Sequence, residues 1–148
     1  MLWLLRHAEA ADGRPDEARP LTQRGIRDAR GTGIALARLG VRLDVCLSSP
    51  KRRALETAEL VCEPLGVEVI PEPALAGFRY EPDNLAAGLG DVLLVGHNPT
   101  ISSVLRDLTG ARVHMRAAGI AGVDGGELVV LMTPGEISVI AESAKAAA

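Results

Sequence analysis

The chain has 148 residues, a formal net charge of −3, 47% hydrophobic and 24% charged residues, a balance that supports a packed core and excludes a disordered segment. Trp3, Phe78 and Tyr80 are its aromatic residues, too few for a stacking platform. The acidic balance argues against a general polyanion binder, so no nucleic-acid partner is expected. Any anion site must therefore be a local concentration of positive charge.

Cys46 and Cys62 lie far apart without Cys-x-x-Cys spacing, which suits two buried thiols better than a disulfide framework or a metal site. The apolar run Met1–Leu5 is too short for a signal-peptide core, and no stretch approaches membrane-spanning length. The expectation is a cytoplasmic chain with no membrane partner, residues 1–148 forming one domain.

Met1–Leu5 reads as a buried strand that stops at Arg6-His7, with Glu9 two residues on. Residues 6–20 are a polar loop punctuated by Gly13, Pro15 and Pro20. Thr22 then caps a helix whose stripe Ile26, Ala29, Gly33, Ile34, Leu36 and Ala37 ends near Gly40. Gly25, Gly31 and Gly33 weaken that helix unless close packing requires them. Leu43–Leu47 is a short strand. Ser49-Pro50 reads as an N-cap followed by proline at the first helical position, opening a helix that runs to about Pro64 or Gly66.

Val67–Ile70 follows as a strand, and the Pro/Gly-rich stretch 71–90 holds one short helix over Asp83–Leu89. Asp91–Gly96 is a continuous apolar strand of the kind buried on both faces. It leads through His97-Asn98-Pro99 into a helix over Thr100–Leu108. Gly119–Val123, Glu127–Met132 and Ile137–Ile140 read as antiparallel strands at one side of the sheet, with Ser143–Ala148 as a frayed tail.

Strands followed by helices define an α/β fold in which three loops share one sheet edge: 6–10, 48–53 and 96–100. That edge is where ligands bind in open α/β sheets. It receives Arg6, His7, Arg53 and His97 together with helix N-termini, which favour an anion. Arginine pairs two oxygens of a phosphate at once. Taken singly, Arg6 and His7 read as an exposed loop start, Arg53 as a solvated helix arginine like Lys51 and Arg52, and His97 as a core histidine. It is their coincidence at three strand ends that points to a phosphate site.

Four segments carry a family resemblance: Leu5-Arg6-His7-Ala8-Glu9-Ala10, Leu21-Thr22-Gln23-Arg24-Gly25, Ser48–Ala54 with Thr57-Ala58, and Val95-Gly96-His97-Asn98-Pro99. In this order they resemble the histidine phosphatase superfamily, and the short chain with its Gly-His-Asn-Pro segment is most similar to the SixA-type phosphohistidine phosphatases. The resemblance implies a phosphoglycerate mutase-like fold: three layers, α/β/α, with a mixed, mostly parallel central sheet. It implies that His7 is the nucleophile that becomes phosphorylated, that Arg6 and Arg53 clamp the phosphoryl oxygens, and that His97, protonated when phosphate is bound, completes the pocket. No metal or cofactor is implied.

Asn98 and Ser49 mainly shape their loops, with substrate contact by Asn98 also expected. Thr22 is a cap, Arg24 a surface residue, and His114 structural or exposed. Glu9 stands equally for an orienting group and a solvated one.

Two departures from the family pattern matter. Ala8 replaces the usual glycine, which is harmless if its backbone does not need positive φ. Beside Leu75, where mutase-like and ester-cleaving members resemble one another in carrying an acid, this chain has Ala76 and Gly77. Glu9, Glu72, Glu81 and Asp83 are left as candidate acids. A poor alkoxide leaving group needs a positioned acid, whereas a phosphorylated imidazole leaves readily. The expectation is therefore a phosphohistidine-bearing protein as substrate. A small phosphomonoester or a non-catalytic phosphate-binding module are the alternatives, and a phosphoglycerate mutase is disfavoured.

Overall fold

The computed structural model describes residues 1–143. In chain order the elements are β1 (Leu2–Arg6), α1 (Gln23–Arg38), β2 (Val45–Ser48), α2 (Arg52–Cys62), β3 (Val69–Pro71), α3 (Pro82–Ala86), β4 (Val92–Gly96), α4 (Thr100–Thr109), β5 (Ile120–Asp124), β6 (Glu127–Met132) and α5 (Pro134–Ser143). The strands form one sheet in the order β3-β2-β4-β1-β5-β6. β3, β2, β4 and β1 are mutually parallel, and β5 and β6 are added antiparallel beyond β1. This is the mixed, mostly parallel α/β/α sandwich that the sequence implies.

Alternation along the central strands divides the core. Trp3, Leu5, Cys46, Leu93 and Val95 face Ala29, Leu36, Ala58, Val61 and Ile137 from α1, α2 and α5. Leu4, Val45, Leu47, Val92 and Leu94 face Ile101, Val104 and Leu105 of α4, with Leu75 and Tyr80. Both faces are covered, so the central strands carry the unbroken apolar runs expected of a buried parallel sheet.

Two helix glycines are dictated by close approach. A Cβ on Gly25 would stand 2.1 Å from the carbonyl oxygen of Glu9, and one on Gly33 would stand 2.6 Å from that of Val61. The first presses the start of α1 against the loop after β1, and the second seats α1 on α2. Gly31 meets nothing, and close packing does not explain it. Thr22 caps α1 as expected, its Oγ1 accepting from Gly25 N–H at 3.0 Å.

Beyond shifts of one to three residues at β1, β2 and α3, three differences from the sequence reading bear on the packing. Ile137–Ile140 is not a strand but the middle of α5. The β-branched run Ile137-Ser-Val-Ile favours extension, yet Pro134 opens the helix and the Thr133 carbonyl accepts from Ile137 N–H at 3.1 Å. Thr133 and Glu136 also hydrogen bond through their side chains, and Ile137 is buried against α1. Second, α2 begins at Arg52 rather than at Pro50; Ser49 Oγ instead accepts from Lys51 N–H at 3.2 Å and shapes the turn before the helix. Third, β3 is shifted to Val69–Pro71, pairing with Cys46–Ser48. Of the expected tail, Ser143 ends α5 and residues 144–148 lie outside the described residues.

Candidate active site

Three adjacent strands, β2, β4 and β1, end side by side. Arg6 is in register with Gly96 and Ser48 with Val95. The ladder continues past the strand ends, with His7 N–H donating to Gly96 O and Ser49 N–H to Val95 O, both at 3.0 Å. This fixes the backbones from which His7, Ser49 and His97 project. The two imidazoles stand with ring centroids 5.1 Å apart, inclined at 57°.

Each ring is held through one nitrogen. His7 Nδ1 lies 2.7 Å from the carbonyl oxygen of Ala8. A carbonyl can only accept, so Nδ1 carries the hydrogen and the neutral ring keeps its lone pair on Nε2. His97 Nε2 lies 2.7 Å from Ser49 Oγ. That hydroxyl oxygen also accepts from Lys51 N–H; a hydroxyl can accept twice or donate its own hydrogen, so the contact positions the ring with either tautomer of His97.

Burial, joined by the charges of Arg53 and Arg6, outweighs the Ala8 hydrogen bond and pushes the His7 pKa down to about 4. Burial again, with His7, Arg53 and Lys51 nearby, lowers that of His97 to about 3. Both imidazoles are neutral in the free site at pH 7.

The arginines are anchored from behind. Arg6 donates to the carbonyl of Met115 at 2.8 Å. Arg53 is buried, donating to Asp16 O at 2.9 Å and to Asp16 Oδ2 at 3.2 Å. The same carboxylate is 3.5 Å from Lys51 Nζ. Hydrogen bonds from Arg19 and Arg53 hold the Asp16 carboxyl down to about 2, so it is an ionised strut with no proton to give. Thr57 joins the first loop to α2: its Oγ1 accepts from Ala8 N–H at 3.0 Å and donates to the Arg53 carbonyl at 2.7 Å.

Among the described residues three buried side-chain atoms lack a hydrogen-bond partner: Arg6 Nε, His97 Nδ1 and Tyr80 Oη. A buried unpaired polar group costs about 1–3 kcal/mol, and the first two belong to residues at the strand ends, where a ligand could satisfy them.

Ala8 is not among the residues with positive φ, so its replacement of glycine carries no backbone strain. Asn98 is occupied with holding its loop: it donates to Met115 O at 3.1 Å and accepts from Ser102 Oγ at 2.7 Å. The candidate acids are engaged with other partners or lie away from the imidazoles. Glu9 accepts from Thr22 Oγ1 at 2.9 Å, Glu72 caps the turn Pro73–Leu75, and Asp83 lines a groove with Met1 at the opposite end of the sheet. Neither they nor Glu81 hydrogen bond to His7, His97, Arg6 or Arg53. His114 is exposed.

Asp16, Ser49 as partner of His97, Thr57 and the Met115 carbonyl are the supports that sequence reasoning missed. Ser49 and Thr57 carried a signal, both falling in the segment Ser48–Ala54 with Thr57-Ala58, whereas Asp16 and Met115 carried none.

Two histidines and two arginines thus stand together at the C-terminal edge of the parallel strands of an α/β protein. Residues 2–84 match the family model of the histidine phosphatase superfamily, branch 1, and the chain belongs to that superfamily. A relative from Picosynechococcus, described as an uncharacterized protein, is 31% identical over 144 residues, covering 84% of this chain and 85% of its own. The mitochondrial serine/threonine-protein phosphatase Pgam5 of Drosophila persimilis is 35% identical over 112 residues, 74% of this chain but only 36% of that protein. The solved protein histidine phosphatase SixA complexed with tungstate superposes with a TM-score of 0.80 at 25% identity, covering 92% of this chain and 98% of that one. Within the superfamily the chain is of the SixA type.

Proposed function

We propose that the chain is a phosphatase that works through a phosphohistidine intermediate on His7 and takes protein phosphohistidine as its substrate. The observation that carries the reading is a neutral His7 with Nε2 free, its ring beside that of His97 and within the field of Arg53 and Arg6. In the first step Nε2 attacks phosphorus, the Nε2–P bond forms, and the bond to the leaving nitrogen breaks with its electron pair. That nitrogen is neutralised by a proton from water. In the second step water attacks the phosphorus of phospho-His7, releasing phosphate and restoring neutral His7.

Arg6, Arg53 and His97 meet the charge that develops on the equatorial oxygens, which is the larger part of phosphoryl-transfer catalysis. Burial is the main cause of the low His97 pKa, with neighbouring positive charges second; a bound dianion opposes both and favours the protonated ring. The donor set itself balances the phosphoryl charge, and the mechanism runs without metal or cofactor.

Preference for a P–N bond is supported by the acids. Glu9 and Glu72 are hydrogen bonded to Thr22 and to the Ala74 N–H, Asp83 lies at the opposite end of the sheet, and Asp16 is ionised. An alkoxide leaving group would lack a proton donor that a leaving imidazole does not need. The relatives named serine/threonine-protein phosphatase favour a second reading, cleavage of phosphate esters. The deciding experiment compares kcat/KM on a phosphohistidine peptide with that on phosphoserine and small phosphate esters. Clear preference for the P–N substrate is expected; preference for esters would overturn the substrate assignment and leave the His7 chemistry standing.

A further inference from the structure

Beside the site a groove of about 790 Å³ includes Arg6, Glu9, Arg24, His114 and Arg116 in its walls. A second, of about 670 Å³, lies between α1 and α5, with Arg27, Arg30 and Arg38 along it and Ile34, Ile137 and Ala141 as its apolar part. The two share Arg24, Asp28 and Pro134, so they form one trough that leads from the clamp arginine Arg6 along α1. Arg24 to Arg38 spans about 21 Å of helix at 1.5 Å per residue. That is room for about six residues of extended chain.

The charge of this trough runs against that of the molecule. The chain carries −3 overall, yet these walls hold six arginines against Glu9, Asp28 and Glu142. Among the described residues Arg27, Arg30 and Arg116 have no carboxylate within 4.0 Å, while Arg24 reaches Asp28 at 3.9 Å. Arg38 is turned to the Ala141 carbonyl. An unpaired basic lane with an apolar strip, opening on a phosphate site, complements an acidic polypeptide with interspersed apolar residues.

We infer that this trough docks an acidic segment flanking the phosphorylated residue of the substrate protein. The inference rests on the phosphohistidine reading above and supplies its substrate class: an acidic phosphoprotein, engaged beyond the phosphoryl group. Binding energy taken along α1 holds the phosphorylated ring at His7, and small phosphoramidates forgo it.

The test uses synthetic peptides carrying one phosphohistidine between Asp/Glu-rich or Lys-rich flanks, with free phosphohistidine as the small substrate. The wild-type protein should show a KM about tenfold lower for the acidic peptide, since each exposed charge pair contributes a few-fold, and added salt should erase the difference. Arg27→Glu/Arg30→Glu should abolish or invert the preference while turnover of free phosphohistidine stays unchanged, which also reports an intact fold. Equal KM for both peptides, or a preference that survives the double substitution, would overturn the inference.

Fluorescence anisotropy with the unphosphorylated acidic peptide keeps the test independent of catalysis. Binding lost in the double variant supports docking even if no phosphohistidine substrate turns over, a result that would sink only the substrate reading. Variant-sensitive binding to phosphatidylserine-containing vesicles without peptide discrimination would assign the trough to a membrane surface, and a dimer dissolved by the substitutions would assign it to a second copy. Either would overturn the proposal.

Discussion

At one end of the parallel strands stand Arg6, Lys51, Arg53 and two histidines, while at the other end the same sheet carries Asp44, Asp91 and Asp124 around the amino group of Met1. The acidic end is internally satisfied. Met1 pairs with Asp91, and Asp44 Oδ2 accepts from Asp91 N–H at 2.7 Å. The basic end has its arginines braced by Asp16 and Met115 yet keeps Arg6 Nε and His97 Nδ1 buried and unpartnered. The difference teaches where this fold spends stability: of the three buried unpartnered side-chain atoms among the described residues, two belong to residues at the basic end, the other being Tyr80 Oη.

Substitutions at the basic end should therefore act on rate, and those at the acidic end only on stability. The largest effect is expected from His7→Ala, which removes the attacking nitrogen and should lower kcat by more than about 10⁴-fold, read in steady-state assays on a phosphohistidine peptide. Arg53→Ala comes next. It deletes one arm of the proposed clamp and should cost about 10²–10³-fold in kcat/KM, and added phosphate, expected to raise the melting temperature of the wild type, should no longer do so in the variant.

The paired imidazoles also give the basic end a pH dependence on the acid side of neutrality. Their folded pKa values, about 4 and about 3, lie below the ordinary histidine value near 6.5. Between these limits the unfolded chain binds more protons, so stability is fully present above about pH 6.5 and falls as pH drops toward the folded values. Urea midpoints at pH 7.5, 6 and 5 should decline, and His97→Gln should flatten the slope; an unchanged midpoint across that range contradicts the burial assigned to these rings.

Ser49→Ala releases His97 Nε2 and should cost about tenfold in kcat by letting the ring wander. At the acidic end, Asp91→Asn breaks an exposed ion pair worth less than about 1 kcal/mol and should leave kcat/KM unchanged. A kinetic defect there would erase the distinction between the two ends.

The basic end was legible in the sequence because its main residues sit at strand ends that local pattern locates: Arg6-His7 after Leu2–Leu5, Ser49 after β2, His97 after β4. Its braces were not. Asp16 reaches Arg53 only because the loop before α1 folds back over α2, and the Met115 carbonyl reaches Arg6 across 109 positions of sequence. No local periodicity encodes either contact. The far side of the sheet shows the complementary failure. Ile137–Ile140 has strand composition, but the Pro134 start, the Thr133–Glu136 cap and burial on α1 override that propensity.

The most direct test of the account is a rapid-quench experiment with a phosphohistidine peptide carrying a labelled phosphoryl group. The reaction is stopped in alkali, which preserves phosphohistidine, and the label is located by peptide mapping. Transient, acid-labile label on the peptide containing His7, absent in His7→Ala, is the predicted result. Turnover at the wild-type rate with no label on His7 at any time would contradict it.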